Sequence, residues 1–275
     1  MFISPMLLER ISEPFDSEEY ITELKLDGIR LILSKFNNKI RLYTRHNNEV
    51  TAMFPEIYED LDIPDGTVLD GELIVPGVNG APDFEAMMER FKSKKSQHII
   101  QFCVFDIIYY AGERITSLPL IERKDILNQL NFDSERIVQV QWIEGNGVPY
   151  FRLVEGQDLE GIVLKRKNSK YRINKRSDQW LKVINYKYID VMVTGIIKKD
   201  RSFLLNSLED GRPIGLMEFI PEKDRKRIYR EVENNGVKET DKIIRLNQGI
   251  PCNVKFRNWT SNNKLRIPSF HTFVS

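Results

Sequence analysis

Short runs of apolar residues, bounded by Gly, Pro, Asn and Asp, fill the first two thirds of the chain. Runs of this length that are rich in Val, Ile, Leu and aromatic residues are typical of β-strands. They predict strands at Tyr20–Leu26, Arg30–Lys35, Ile40–Tyr43, Val68–Val75, Ile99–Tyr110, Arg136–Gln141 and Gly161–Arg166. Segments with helical spacing predict helices at Glu56–Leu61, Asp83–Lys92 and Leu120–Leu130, with Asp83 as the N-cap of the second. The mixture predicts an α+β domain built on antiparallel sheets.

The pattern changes after Tyr188 to short strands separated by turns, with one helix at Glu222–Glu233. The predicted strands of this part are Val191–Ile197, Ser202–Leu208, Ile214–Phe219, Cys252–Asn258 and Lys264–Ile267. Short strands with a single helix suit a small β-barrel. We therefore predict a boundary near Lys187–Ile189 and two domains, 1–188 and 189–275.

The composition is that of a globular protein, since 41% of the 275 residues are hydrophobic. Apolar runs such as Cys103–Tyr110 are too short to span a bilayer, and the first residues lack the pattern of a signal peptide. Cys103 and Cys252 do not have the spacing of a disulfide framework or a zinc site, so we expect reduced, packed thiols. These features predict a cytoplasmic protein without a membrane partner.

One lysine precedes a predicted tight turn, in the segment Glu23-Leu24-Lys25-Leu26-Asp27-Gly28-Ile29-Arg30. Because strand side chains alternate between faces, Glu23 and Lys25 are expected to point the same way. Asp27-Gly28 predicts a turn in which glycine supplies a positive φ. Positive charge such as that of Arg30 helps a lysine to lose its proton and attack phosphorus. A lysine at a strand end is as often a solvated charge, so this segment alone leaves both interpretations open.

Charge is distributed unevenly, although the net charge of the whole chain is only +1. Residues 1–164 carry a net charge of −12, residues 165–187 carry +8 and residues 188–275 carry +5. A basic run is often a solvated surface. Concentrated beside a candidate phosphate site, it favours a polyanionic partner.

Further candidate residues follow downstream of Lys25. Arg45 ends a predicted strand, where an isolated arginine is usually a surface residue. Asp70 and Glu72 share one face of a strand, where like charges raise each other's pKa unless a cation lies between them. A solvent-facing strand would explain that alternation equally well, so the order of the remaining segments has to decide.

The next segments lie in Cys103–Tyr110, Glu160–Lys165, Ser177–Val183 and Leu265–Phe270. The first is apolar enough to be core and contains the pair Phe105-Asp106. Glu160 precedes a glycine at a strand start, which can bring its carboxylate close to a ligand or to a hard cation such as Mg²⁺. The remaining two segments contain Lys182 and Arg266.

In this order, the segments resemble the motifs of covalent nucleotidyltransferases, which comprise DNA ligases, RNA ligases and mRNA capping enzymes. The resemblance is strongest to ATP-dependent DNA ligases of minimal bacterial or phage type and extends from about Glu23 to Phe270. It implies a nucleotidyltransferase (adenylation) domain with antiparallel sheets and a C-terminal OB-fold β-barrel domain. It also implies ATP and Mg²⁺ (or Mn²⁺) as cofactors, nicked duplex DNA as the partner and, by default, a monomer.

The resemblance assigns roles to individual residues. Lys25, Lys182 and Arg266 would be catalytic: Lys25 would form a lysyl-AMP, Lys182 would lie against the α-phosphate, and Arg266 would act when the OB domain closes over ATP. Nucleotide binding is assigned to Glu23, Arg30, Arg45, Glu72, Phe105, Glu160 and Lys182. Within that set, Phe105 would stack on adenine, Arg45 would bind a phosphate, and Glu72 and Glu160 would hold the metal. The AMP would then pass to the 5′-phosphate of a nick, and the 3′-hydroxyl would displace it.

Two positions depart from the family pattern. Ile184 stands where a second lysine is usual, and Lys187 is out of strand phase with Lys182. The last motif continues as His271-Thr272-Phe273 rather than as Arg-x-Asp-Lys. Both departures predict slow self-adenylation from ATP. The alternatives are an RNA ligase, a GTP-dependent capping-type enzyme, or a non-catalytic nick-binding protein.

Overall fold

The computed structural model describes residues 1–132, 134–234 and 237–274. The chain divides into two compact units, Met1–Asn185 and Tyr186–Ser275. The predicted boundary near Lys187–Ile189 lies close to this division. The fold class is mixed α+β, as predicted, with many strands and few helices.

The first unit contains eleven strands and three α-helices within its described residues. The strands are β1 (Leu7–Arg10), β2 (Tyr20–Leu24), β3 (Ile29–Phe36), β4 (Lys39–Thr44), β5 (Thr67–Ile74), β6 (Gln101–Tyr110), β7 (Glu113–Arg114), β8 (Ile137–Gln139), β9 (Trp142–Glu144), β10 (Gly161–Arg166) and β11 (Arg176–Ile184). The helices are α1 (Phe84–Lys92), α2 (Leu120–Asn128) and α3 (Gly147–Gly156).

These strands form two sheets. The first sheet has the order β1-β11-β10-β2-β9, and the second has the order β4-β3-β5-β6-β7, with β8 beside β6. Neighbouring strands are antiparallel, as predicted, except that β1 runs parallel to β11 and β8 parallel to β6. The parallel pair at the edge of the first sheet matters for the site, because it brings the N-terminal strand beside Lys182.

A layer of buried side chains from both sheets separates them. It contains Ile21 and Trp180 from the first sheet and Ile32, Val68 and Phe105 from the second. The opposite face of each sheet is also covered, by α1 and α2 on the second sheet and by α3 on the first. Strands that are buried on both faces have nearly continuous apolar sequences, and β3 and β6 show this pattern. Polar residues inside this layer therefore need partners within the protein.

The second unit is a single antiparallel sheet with one helix. Its strands are β12 (Lys187–Ile197), β13 (Phe203–Ser207), β14 (Pro213–Met217), β15 (Val237–Glu239), β16 (Ile243–Phe256) and β17 (Ser269–Phe273), and its helix is α4 (Glu222–Asn234). The strand order is β14-β13-β12-β16-β15, with β17 also beside β16. Val191, Cys252 and Ile228 are fully buried in its own core. This unit therefore has the separate hydrophobic core of a domain.

Several predicted elements differ from the structure. The predicted helix Glu56–Leu61 is only a 3₁₀ turn at Pro55–Ile57. The predicted strand Lys264–Ile267 is replaced by β17, since Ile267 has a φ of 53°, which ends extended structure there. Strands β1, β9 and β11 and helix α3 were not predicted. In α3, Pro149 lies in the first turn, where proline is tolerated, but Gly and Pro together resemble a loop in the sequence.

Two smaller predictions are confirmed, the helix cap at Asp83 and the free, buried cysteines. Asp83 caps α1, because its carboxylate accepts a hydrogen bond from the amide of Ala86. Cys103 and Cys252 are free and buried. Across the part of the chain that the structure describes, no helix has the length and hydrophobicity needed to cross a membrane.

Candidate active site

Lys25 follows the last residue of β2 and contacts a carboxylate from the neighbouring strand. Its ammonium nitrogen lies 2.7 Å from Oε2 of Glu160, which precedes β10. The Lys25 amide also donates to the carbonyl of Gly161 at 2.9 Å. Both side chains are mostly buried. The antiparallel pairing of β2 with β10 therefore brings the candidate nucleophile to a group that can accept its proton.

Gly161 is required for this arrangement. It has a φ of 148°, and an added Cβ would lie 2.1 Å from the carbonyl oxygen of Val183. The strand β11 therefore approaches the Glu160 segment more closely than any side chain at this position would allow. Ile184, which stands at the unusual motif position, pairs with Gly161 and is buried.

Gly28 is also needed for close packing, and the predicted reason was wrong. Gly28 does not have a positive φ. An added Cβ would instead lie 2.2 Å from the carbonyl oxygen of Leu73 in β5. Glycine here allows the segment that connects Lys25 with β3 to lie directly against β5, the strand that carries Glu72.

Arg30 is hydrogen-bonded to one carboxylate of β5 and lies opposite the other in the strand pairing. Its guanidinium donates to both oxygens of Asp70, at 2.5 and 2.6 Å, and the hydroxyl of Tyr171 donates to Asp70 at 2.6 Å. In the β3–β5 register, Arg30 is opposite Glu72. The positive charge of Arg30 therefore acts on both carboxylates, on Asp70 through these hydrogen bonds and on Glu72 through its charge. The sequence assigned no role to Asp70 or Tyr171, and in the structure they hold Arg30 in place.

Glu72 is a carboxylate with a perturbed pKa. Burial raises its pKa to about 7. Lys25 and Arg30 oppose this rise, while the negative charge of Asp70 adds to it. Glu72 is therefore poised to change charge near neutral pH, and a bound cation would favour its ionised form.

A narrow pocket with aromatic walls opens beside Lys25. Its lining includes Phe105 from β6 and Trp180 from β11, together with Glu23, Lys25, Arg30, Glu72, Val163 and Lys165. The ammonium of Lys165 lies 4.3 Å from the centre of each of the two rings, and the guanidinium carbon of Arg30 lies 4.4 Å from the centre of Phe105. Flat apolar surfaces with a few charged groups suit a planar heterocycle such as a nucleobase.

Glu23 and Lys25 line the same pocket, as the strand alternation predicted. The two oxygens of Glu23 each face an ammonium group at 2.5 Å, Oε1 that of Lys124 from α2 and Oε2 that of Lys165. Burial lowers the pKa of Lys165 to about 8. Lys124 and Lys165 were not predicted as site residues, because a lysine in the sequence gives no sign that it will be buried.

A second groove beside Lys25 contains a cluster of positively charged side chains. Its lining includes five cationic side chains and one carboxylate: Lys25, Arg30, Arg45, Arg176, Lys182 and Glu72. It shares Lys25, Arg30 and Glu72 with the aromatic pocket, so Lys25 stands where the two meet. Clustered cations with few compensating carboxylates are the electrostatic pattern of a phosphate site.

Lys182 is half-buried in this cationic groove. Burial lowers its pKa, and the positive charges of Lys25, Arg176, Arg10 and Arg45 lower it further. Arg10 and Arg176 were not predicted individually. Their position follows from the parallel β1–β11 pairing, in which Arg10 is opposite Lys182, and an edge pairing of this kind has no local sequence signal.

The carboxylates of the site could bind a metal ion only if a bound substrate supplied further oxygen ligands. Within residues 1–132, 134–234 and 237–274, no group of three or more His, Cys, Asp or Glu side chains could hold a metal ion. Glu160 contacts Lys25, and Glu72 lines both pockets beside it. Mg²⁺ commonly binds through one or two carboxylates, substrate phosphates and water. The donor set is compatible with that mode and not with a cage built by the protein alone.

Arg266 belongs to the second unit, unlike the other predicted site residues. Its amide donates to the carbonyl of Asn258, and its carbonyl accepts from the amide of Arg257. Lys187, considered as a substitute for the missing lysine, begins β12 of the same unit. The predicted residues brought together in the first unit are Glu23, Lys25, Arg30, Arg45, Glu72, Phe105, Glu160 and Lys182.

Known proteins with related sequences point to one family. The profile of the ATP-dependent DNA ligase domain matches residues 5–183. The SPbeta prophage-derived DNA ligase-like protein LigB of Bacillus subtilis is 56% identical over 273 residues, which cover 99% of both chains. The bifunctional non-homologous end joining protein LigD of B. subtilis is 28% identical over 254 residues. That match covers 82% of this chain but only 41% of the longer protein.

Solved structures of ligases have the same fold. A Lig E DNA ligase superimposes with a TM-score of 0.69 at 20% identity, covering 98% of each chain. Mycobacterial DNA ligase D, solved with ATP and MES, superimposes with a TM-score of 0.63 at 22% identity, covering 99% of this chain and 95% of that one. The two units therefore have the nucleotidyltransferase and OB folds. Because the profile match spans the unit that carries Lys25 and the prophage relative aligns over 99% of both chains, the chain belongs to the family of ATP-dependent DNA ligases.

Proposed function

We propose that this chain seals nicks in duplex DNA with ATP, through an AMP carried covalently on Lys25. The observation that carries the proposal is the position of Lys25 between an aromatic pocket and a cationic groove. A nucleotide with its base in the pocket and its phosphates in the groove would place the α-phosphate near the lysine. The match to the ATP-dependent DNA ligase domain supports the nucleotide, and the relatives named DNA ligase or DNA ligase-like support the DNA substrate.

In the first step, Lys25 attacks the α-phosphorus of ATP and expels pyrophosphate, so a P–N bond forms as a P–O bond breaks. Lys25 must first lose its proton, which breaks the ion pair with Glu160 and frees that carboxylate. Arg30 and Lys182 stabilise the negative charge that develops on the phosphoryl oxygens. Asp70 and Tyr171 limit the movement of Arg30, so this stabilisation is pre-organised.

Phe105 would contact the base, with the fully buried Trp180 packed against it, and Glu72 lies at the junction of the base pocket and the phosphate groove. Glu72 and Glu160 are the residues that would share a Mg²⁺ or Mn²⁺ ion with the phosphates. When bound, the metal supplies positive charge to the phosphoryl oxygens. The charge of Glu72 decides how well this position attracts a cation.

In the later steps, the 5′-phosphate of a nick displaces the AMP from Lys25, and the 3′-hydroxyl then displaces AMP from the DNA adenylate. Arg45 and Arg176 are exposed at the groove and would bind the nick phosphate. The basic run 165–187 and the OB unit would bind duplex phosphates, so affinity should fall steeply with salt. Arg266, on the OB unit, would act in the adenylation step when that unit closes over ATP. We still predict that the protein is a monomer and that it is located in the cytoplasm.

Nick sealing tests the proposal directly. A labelled duplex with one 5′-phosphate/3′-hydroxyl nick is incubated with the protein, Mg²⁺ and ATP, GTP or NAD, and the same nick in RNA is run in parallel. Sealing of the DNA nick with ATP alone supports the proposal. Sealing of only the RNA nick, or use of GTP, would instead identify one of the alternatives.

Pre-adenylated nicks separate a slow first step from an inactive protein. Sealing of pre-adenylated DNA without added nucleotide would place the defect at self-adenylation, where Ile184 departs from the family pattern. Binding of nicks without sealing of either substrate would contradict the proposal and leave a non-catalytic nick-binding protein.

A further inference from the structure

Lys124 is buried behind the aromatic pocket and contacts one of its lining residues. Its ammonium donates a hydrogen bond of 2.5 Å to Oε1 of Glu23, and the side chains of both residues are 3% exposed. Lys124 comes from α2, which packs on β6. Glu23 lines the pocket and Lys124 does not, so Lys124 contacts the carboxylate from the side away from the ligand.

Lys165 contacts the same carboxylate in a different way. Its nitrogen lies 2.5 Å from Oε2 of Glu23, the oxygen that Lys124 does not contact. An ammonium group has three N–H donors, so this single contact leaves donors of Lys165 available. Since Lys165 is only 2% exposed and lines the pocket, it keeps an unused donor where a ligand would lie. A buried donor of this kind carries a large penalty until a ligand satisfies it.

Glu23 and Lys165 therefore present an acceptor and a donor side by side. An ionised carboxylate only accepts hydrogen bonds, and an ammonium only donates them. The edge of adenine offers an amino group next to a ring nitrogen that accepts, whereas guanine offers a carbonyl oxygen next to a ring N–H. Glu23 and Lys165 can both hydrogen-bond to adenine only if the Glu23 carboxylate is not turned fully toward Lys165.

We propose that Lys124 is a positioning residue for nucleotide selection, which holds the Glu23 carboxylate from behind so that Glu23 and Lys165 remain available to the base. This inference rests on the proposed function, because it concerns the base of the nucleotide that adenylates Lys25. Lys124 itself does not contact the nucleotide.

The charge environment of Lys165 supplies an independent readout. The groups that face it are Glu23 from β2, Lys124 from α2 and Asp106 from β6, together with the rings of Phe105 and Trp180. The pKa of Lys165 is lowered to about 8, mainly by burial and in smaller part by the positive charge of Lys124, while the two carboxylates oppose the decrease. Removing the charge of Lys124 should raise the pKa of Lys165. The pH above which ATP binding weakens should therefore move upward.

The test compares wild type with Lys124→Met, Lys124→Arg and the control Asp125→Asn, an exposed carboxylate on the same helix. Initial rates of covalent labelling are measured with α-labelled ATP and GTP, at pH values below and above 8, and thermal melting verifies folding. For Lys124→Met we expect KM for ATP to rise at least about tenfold, with a smaller change in kcat, and the preference for ATP over GTP to fall at least about tenfold. Lys124→Arg should retain most of the preference, and Asp125→Asn all of it.

A folded Lys124→Met protein with unchanged KM, preference and pH profile would overturn the inference. Equal losses with ATP and GTP, not restored by Lys124→Arg, would show a merely structural role and would overturn it as well. Absence of label in the wild type would contradict the proposed function instead. In that case, the affinities of the same proteins for ATP and GTP, measured by calorimetry, would still decide the inference.

Discussion

Replacing Glu72 by glutamine should stabilise the protein at alkaline pH. The pKa of Glu72 rises from 4.5 to about 7, with burial as the main cause. The folded state therefore binds this proton more tightly than the unfolded state. The stabilisation from the protonated carboxyl is complete below pH 4.5 and is lost as the pH rises through about 7.

The size of the effect follows from the shift. A rise of about 2.5 pKa units corresponds to roughly 3 kcal/mol, at 1.36 kcal/mol per unit. Glutamine has nearly the same shape and no charge, so Glu72→Gln should exceed the wild type in unfolding free energy by an amount that grows with pH. Between about pH 5 and about pH 8.5 we expect that difference to grow by roughly 2.5 kcal/mol. Lys25 and Arg30 already oppose the shift, so their influence is included in this figure.

The assay is urea denaturation of the wild type and Glu72→Gln at a series of pH values on both sides of 7. Glu59→Gln, which alters an exposed glutamate of the same unit, is the matched control and should follow the wild type throughout. Two stability curves that stay parallel for wild type and Glu72→Gln would refute the reasoning. A difference that grows as the pH falls would show that Glu72 is stabilised in its ionised form.

Three further substitutions test residues in the site and in the structure that supports it. Arg123→Met should lower the unfolding free energy by roughly 3–5 kcal/mol, because the buried Asp106 would lose both hydrogen bonds of 2.8 Å; a urea titration that shows no loss would contradict this role. Gly161→Ala should lower the Tm, since its Cβ would lie 2.1 Å from the carbonyl oxygen of Val183; an unchanged Tm would show that the backbone yields freely. Lys182→Met should slow self-adenylation by about 10²-fold without lowering the Tm, as measured by single-turnover labelling; a wild-type rate would remove it from the phosphate site.

The strands and helices with strong local patterns could be predicted from the sequence. Strand β10 has the predicted bounds Gly161–Arg166, and α1 has its predicted cap at Asp83. The predicted residues of the first unit converge because they lie at the ends of strands that pair with one another. No single segment identified the family, whereas the order of the segments along the chain did.

Features that depend on long-range pairing could not be predicted. Strand β1 is held by its parallel pairing with β11, which lies far away in the sequence, and Arg10 enters the environment of Lys182 only through that pairing. Lys124 and Lys165 are buried against Glu23, although lysine is usually exposed. The turn at Gly28 was predicted from a preference for positive φ, whereas tertiary packing against Leu73 is the actual reason for glycine.

Covalent labelling of Lys25 tests the central claim most directly. The wild type, Lys25→Ala and Lys39→Ala, which alters an exposed lysine of the same unit, are incubated with α-labelled ATP and Mg²⁺. We predict acid-labile label on the wild type and on Lys39→Ala, none on Lys25→Ala, and release of the label on addition of nicked duplex DNA. Label that persists on Lys25→Ala, or a wild type that takes up no label while sealing pre-adenylated nicks normally, would contradict the assignment of Lys25 as the nucleophile that reacts with ATP.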